Sequence, residues 1–339
     1  MKALLIGGTG TISTEISKRC VALGWDLTLL NRGNSTEFVP EGARVLQVDV
    51  NDEAAVNQLL GDEQFDVVAD FIVFTPEQAQ RDIRLFKGRT AQYIFISSAS
   101  AYQKPLSSPV ITESTPLYNP YWGYSRNKIA IEDLLMDAYR KDGFPVTIVR
   151  PSHTYCERSM PVGLHGNKGS FAVMERIRTG KKIIVPGDGL TLWTVTHSSD
   201  FAVGFCGLMG NIHAIGEAVH ITSDERLTWN QIHECIGRAV GRAPQMVHIA
   251  SDVLAKLGPD WEGALIGDKS NSVQFDNTKI KRLVPEFCAT VRFDQGAYDV
   301  AEYVYTHAEC QVPDPEFDAW CDEVIERYEK MISELPKLS

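Results

Sequence analysis

Apolar positions in the first 150 residues gather into short unbroken runs, separated by stretches of helical spacing. Ala3–Ile6, Leu27–Leu30, Arg44–Val48, Val67–Val73, Gln92–Ile96 and Val146–Val149 predict strands buried on both faces. Ile12–Leu23, Glu53–Leu60, Glu77–Phe86 and Ser125–Arg140 predict the helices between them. Strands without polar alternation, alternating with helices, imply a parallel sheet covered on both sides. The fold class is therefore α/β, a doubly wound Rossmann-type parallel sheet, which takes ligands beyond the carboxyl ends of its strands.

The pattern loosens after Arg150-Pro151. Ser159–Gly169 reads as a loop, Phe171–Thr179 as a helix, Lys182–Val185 as a strand and Pro186–Gly189 as a turn. Asp200–Met209, Ala218–Ile221 and Trp229–Val240 follow as helix, strand and helix. The expected organisation is a first domain over residues 1–155, with segments at about 182–222 returning to it. Residues 156–339 then form a smaller, interleaved α/β domain for substrate and a C-terminal helix.

One turn in this pattern carries chemistry. Gly7-Gly8-Thr9-Gly10-Thr11-Ile12-Ser13 follows the first strand and opens the first helix. Glycines there allow a tight turn and let backbone N–H groups approach a pyrophosphate at the helix N-terminus. Gly7, Thr9, Gly10, Thr11 and Ile12 are thus candidate dinucleotide-binding positions, with Ser13 where a third glycine is usual. At the end of the second strand, Asn31 and Arg32 replace the acid expected at an NAD ribose. A guanidinium suits a 2′-phosphate, so NAD(P) is the expected cofactor, tilted towards NADP. Asp49 and Val50, ending the third strand, are placed to meet the adenine.

Tyr124-Ser125-Arg126-Asn127-Lys128 puts a tyrosine and a lysine on one helix face. A phenol titrates near ~10, and a neighbouring ammonium lowers that value by stabilising the phenolate. Ser98, in a serine-rich segment at a strand end, could hold a substrate oxygen while Tyr124 moves a proton. Together these residues resemble the extended or atypical short-chain dehydrogenase/reductases, the NAD-dependent epimerase/dehydratase group. The resemblance covers almost the whole chain, including Glu132, Arg150-Pro151-Ser152, Gly187-Asp188-Gly189, His197, Asp200 and Asp276–Pro285.

The resemblance implies Ser98, Tyr124 and Lys128 as the catalytic trio, with Tyr124 and Lys128 also touching the cofactor. It places Pro151, Ser152 and His153 beside the nicotinamide. It implies an NAD(P)-dependent oxidoreductase, or an epimerase working through a transient ketone, on a sugar-like alcohol. Three departures bear on substrate. Trp193 stands where such proteins often hold a diphosphate-binding arginine, and could stack on a ring or fill core. Ile266–Phe275 contains no arginine, and Ser98-Ala99-Ser100 lacks the acidic pair of sugar 4,6-dehydratases. Ser100, His165 and Trp193 are the candidate substrate contacts. The alternative reading is a non-catalytic dinucleotide-binding member, RNA-associated or regulatory.

Composition narrows the classes. With 44 acids against 33 bases and a net charge of −11, neither nucleic acid nor an anionic membrane is an expected partner. From Glu309 to Ser339 nine acids face three bases, Arg327, Lys330 and Lys337, which suggests a solvated helix face. Trp320, Val324, Tyr328 and Ile332 recur at helical spacing, as in a docked amphipathic helix. Seven scattered cysteines without a C-x-x-C pair argue against a disulfide or zinc framework and for a reducing compartment. Spacing among His153, His165 and His197 fits no metal site. A cytoplasmic enzyme with a small-molecule substrate is expected, pairing as a homodimer by family analogy through helices such as Ser125–Tyr139.

Overall fold

The structure, a computed structural model, describes residues 1–258 and 261–336, so Lys337 lies outside the described residues. Strands β1 (Lys2–Ile6), β2 (Asp26–Asn31), β3 (Arg44–Gln47), β4 (Val67–Asp70), β5 (Tyr93–Ile96) and β6 (Val146–Pro151) join Ala218–Ile221 in one sheet. Its order is Ala218–Ile221, β6, β5, β4, β1, β2, β3, and every neighbouring pair is parallel. The order reverses between β1 and β4, where adjacent crossovers leave in opposite directions and open a crevice.

Helices α1 (Ser13–Ala22), α2 (Glu53–Leu60), α3 (Pro76–Phe86) and α4 (Gly123–Asp142) connect these strands. On one face Ile16 and Cys20 of α1 and Phe201 and Phe205 of the Ser198–Leu208 helix bury against Leu5, Leu29 and Ala69. On the other face Val56, Phe86, Ile131 and Leu135 pack on Leu4, Val68 and Phe95. Both faces of each central strand are dry, which is why the runs lack polar alternation.

The chain divides into two compact units. The first holds Met1–Thr154, Thr194–Asp224 and Val273–Thr290; the second holds Tyr155–Trp193, Glu225–Ser272 and Val291–Ser339. The return to the first unit thus begins at Thr194 rather than near residue 182, and Val273–Thr290 is a second return that periodicity does not announce. Lys182–Pro186 pairs instead with Gln245–Ile249 inside the second unit. In the first unit, β4 stops at Asp70, three residues short of the apolar run, because Phe71–Thr75 turns outward before α3.

In the second unit the C-terminal helix Pro315–Glu334 buries Phe317, Cys321 and Ile325. Its docked stripe is centred one position from the expected one; Trp320, Val324 and Tyr328 flank it, and Ile332 is exposed. Its acids are not simply solvated. Arg176, buried in α5 (Phe171–Thr179), reaches Asp318 and Asp322 at 2.6 Å each, and Lys182 reaches Glu329 at 2.6 Å. Among the described residues no helix is long and apolar enough to cross a membrane.

Candidate cofactor and catalytic site

The glycine turn sits at the crevice opened by the strand reversal. Gly7 adopts φ +80°, and a Cβ there would lie 2.8 Å from Ile72 Cγ2. At Gly8 a Cβ would fall 2.6 Å from Leu29 Cδ2 and 3.0 Å from Ser17 Oγ, so glycine lets α1 start close against β2. Ser13, the departure from a third glycine, has a structural purpose. Its hydroxyl donates to Gly7 O at 2.6 Å and accepts from Gly10 N at 2.8 Å, stitching the turn closed. Ser17 and Thr14 add bonds to Gly8 O at 2.7 Å and Gly10 O at 2.8 Å. Thr11 is exposed and Ile12 half-buried at the helix start.

A cleft of about 350 Å³ opens from this turn, lined by Gly7, Thr9, Asn31, Arg32, Asp49 and Val50. The carboxylate of Asp49 accepts from Asn51 N at 2.9 Å, which bends the chain round the cleft. Asn31 Oδ1 accepts from Gly33 N at 2.9 Å, leaving the exposed Arg32 as the charged group at that corner. The cleft is of a size for an adenosine, and its glycine turn is the backbone cradle a pyrophosphate needs, so these residues fit a dinucleotide.

The serines and the lysine converge beyond the ends of β4 and β5. Ser98 Oγ lies 2.9 Å from Ser100 Oγ, which accepts from Ser125 Oγ at 2.8 Å; Ser125 follows Tyr124 on α4. Ser100 is only 4% exposed, so its hydroxyl supports Ser98 and does not present itself to a substrate. Lys128 is buried, and its ammonium donates to Val73 O and Ile96 O at 2.7 Å each. The rings of Phe74 and Phe95 lie 4.8 Å from the ammonium and that of Tyr124 5.6 Å away. Burial pulls Lys128 down to about 7, opposed by the negative charges of Asp70 and Glu132.

Behind the trio, Glu132 accepts from Arg150 Nη2 at 2.5 Å and Nε at 3.0 Å, and from the Ser97 hydroxyl. The Arg150 guanidinium lies over the Tyr102 ring at 4.8 Å, and the Tyr102 hydroxyl is 3.0 Å from His220 Nδ1. Pro151 ends β6 opposite Ile221, and Ser152 donates to Thr194 O at 3.2 Å, with His153 half-buried just beyond.

Two expected substrate contacts belong to the second unit. Trp193 is 3% exposed and stacks on Trp229 with ring centroids 5.1 Å apart. Of its two readings, core filling is the one its burial supports. His165 is exposed on its loop, with Nδ1 2.7 Å from Gly166 O.

Among the residues that line the same cleft and that sequence reading missed are Asn51, Phe74, Gln78 and Arg81. A signal for one was present. Thr75-Pro76-Glu77-Gln78 spells a capping box, and Gln78 Oε1 indeed accepts from Thr75 N at 3.1 Å and Phe74 N at 2.6 Å. For Arg81 the signal was Asp70, an acid closing an otherwise apolar strand.

The profile of the NAD dependent epimerase/dehydratase family matches residues 3–221, nearly two-thirds of the chain and all of the elements that build the cleft. The chain belongs to this family. It is accordingly an NAD(P)-dependent enzyme with the family's Rossmann sheet. Relatives in the family differ in activity. The 2′-dehydrokanamycin reductase of Streptomyces kanamyceticus is 24% identical over 85% of this chain and 80% of its own. The chloroplast stem-loop binding protein of 41 kDa b of Arabidopsis thaliana is 27% identical over 73% of this chain and 65% of its own. Among solved structures, an epimerase of Methanothermobacter thermautotrophicus superposes with a TM-score of 0.74 at 16% identity. It covers 91% of this chain and 93% of its own.

Proposed function

We propose that this chain transfers hydride between a nicotinamide dinucleotide and a hydroxyl-bearing or keto carbon of a sugar or sugar-like substrate. The outcome would be either net oxidoreduction or epimerisation. The bound dinucleotide supplies the hydride acceptor or donor. The observation that carries the reading is the placement of Lys128, fixed by two backbone carbonyls beside Tyr124, at the end of the sheet where the glycine cleft opens.

In this reading Tyr124 is the acid/base. The Lys128 ammonium stabilises its phenolate and holds the nicotinamide ribose. Ser98, braced by Ser100 and Ser125, orients the substrate oxygen. Gly7, Thr9, Gly10, Thr11 and Ile12 hold the pyrophosphate, and Asp49 and Val50 the adenine. Pro151 and His153 flank the nicotinamide. Arg32, exposed at the cleft corner where no acid stands, supports NADP over NAD. The buried Trp193 supports a substrate without a diphosphate at that position.

A substrate screen following reduced-cofactor absorbance, run on wild type and Tyr124→Phe, tests the roles. Loss of at least about a hundredfold in kcat with the fold intact is expected. Full activity in Tyr124→Phe would remove the tyrosine from the chemistry. A second reading, a non-catalytic RNA-associated protein, is favoured by the likeness to the stem-loop binding protein and opposed by the −11 charge. Salt-sensitive retention of RNA at physiological ionic strength would revive it.

A further inference from the structure

The carboxylate of Asp49, two residues beyond β3, is held from one side only. Both hydrogen bonds it accepts fall on Oδ1, from Asn51 N and from Asn51 Nδ2 at 2.9 Å each. Its Oδ2 has no hydrogen-bond partner among the described residues, and Asp49 lines the cleft. One oxygen is therefore spent within the chain, and the other is left for a donor in the cleft.

Asn51 is itself fixed at its other end, where Oδ1 accepts from Arg81 Nη1 at 2.7 Å. Arg81 is 4% exposed and has no room to swing. Its Nε donates to Asp82 Oδ1 at 2.8 Å, and its Nη2 reaches Asp82 Oδ1 at 2.7 Å and Asp70 Oδ2 at 3.1 Å. These partners leave the Asn51 amide a single orientation. A guanidinium only donates, so Oδ1 must face Arg81; a carboxylate accepts, so Nδ2 must face Asp49. Asp49, Asn51 and Arg81 all line the cleft, and hydrogen bonds connect them without a gap.

We propose that Asn51, anchored by Arg81, is a positioning residue that holds the Asp49 carboxylate at one rotation and so makes the site select adenine over other purines. This deepens the cofactor reading above, which puts the adenine at Asp49 and Val50, and it rests on that reading. Adenine presents an exocyclic amine, which donates. Hypoxanthine carries a carbonyl in that place and an N–H on the neighbouring ring nitrogen. A carboxylate held at one rotation meets the amine with Oδ2 and opposes the carbonyl. A carboxylate free to turn finds a donor on either base and discriminates less. Asn51 thus acts through Asp49, and its effect is read in the choice of base rather than in affinity alone.

The test is calorimetric titration of the full chain with NADP and NAD, each against its analogue with hypoxanthine in place of adenine. Wild type should favour the adenine form at least about tenfold, as expected of a hydrogen bond to a charged acceptor. Asn51 is exposed, so replacing it leaves the fold intact. Asn51→Ala removes the side-chain bond to Asp49 and keeps the backbone one, and the preference should fall to about threefold. Asn51→Asp keeps the size and the acceptor facing Arg81 but turns the donor facing Asp49 into an acceptor. It should bring the two forms within about twofold of each other. An equal loss for both forms, with the preference unchanged, would make Asn51 merely structural and overturn the proposal. So would a wild-type preference retained in Asn51→Asp, or a wild type without any preference. Failure of wild type to bind either dinucleotide would instead overturn the cofactor reading itself.

Discussion

Replacing Arg150 by methionine tests whether the buried scaffold behind the trio behaves as its geometry requires. The side chains of Arg150 and Glu132 are 5% and 4% exposed, and they meet in a two-point contact with a shortest distance of 2.5 Å. In Arg150→Met the Glu132 carboxylate keeps the Ser97 hydroxyl but loses its counter-charge in a site with almost no water. Breaking such a pair by removing one partner costs about 3–5 kcal/mol, mainly because the survivor is left buried and unpaired. The methionine also forfeits the guanidinium over Tyr102, a smaller loss of about 1 kcal/mol. The first unit has about 200 residues, and at that size each kcal/mol moves the melting temperature by about 2–4 °C. Scanning calorimetry should therefore show a fall on the order of 10 °C. The double variant Glu132→Gln/Arg150→Met, which removes both charges of the pair, should recover more than half of it. A fall of under about 2 °C in Arg150→Met, or a double variant no better than the single, would refute the electrostatic argument.

Two other outcomes follow from the same reasoning. Ser13→Ala removes both side-chain bonds that close the glycine turn and should cost about 1–2 kcal/mol in urea unfolding, with a several-fold loss of dinucleotide affinity. His233, fully buried, is pushed down to about 4 by burial, which outweighs its bond to Trp229 O. Its folded-state value lies below the unfolded one. The unfolded chain therefore takes up the proton first below about pH 6.5; stability is complete above that and declines towards pH 4. Urea unfolding across that range should show a shallower acid limb in His233→Leu, and an unchanged slope would show that another group carries it.

Much of the first unit was legible because its physics is local. A central parallel strand must be apolar on both sides, so five of the six runs announced themselves, and a pyrophosphate turn needs glycine at fixed offsets. The sixth, Arg44–Gln47, is the exposed edge strand and not buried on both faces as its run suggested. Tyr124 and Lys128 were visible because one helix turn is enough to put them on a common face. What stayed hidden depends on contacts far apart in sequence. Asp70 and Arg81 are 11 residues apart, and Asn51 stands 30 from Arg81, with no period linking them. Ser13 looked like an imperfect glycine until its hydroxyl was seen bonded at both ends. Trp193 read as a substrate contact because the residue expected there binds phosphate; its stacking on Trp229, 36 residues on, has no local signature. The C-terminal helix shows the same limit, since its acids look solvated until Arg176, Lys181 and Lys182 are placed opposite them.

The central claim is that the cleft from Gly7 to Arg81 holds one nicotinamide dinucleotide with its reactive end at Tyr124 and Lys128. Native mass spectrometry of the full chain, as purified and after addition of NADP or NAD, measures this directly. The account predicts one dinucleotide per chain, retained more strongly for NADP than for NAD and lost when Gly8 is replaced by valine. No adduct with either dinucleotide, even with millimolar cofactor present, would contradict it.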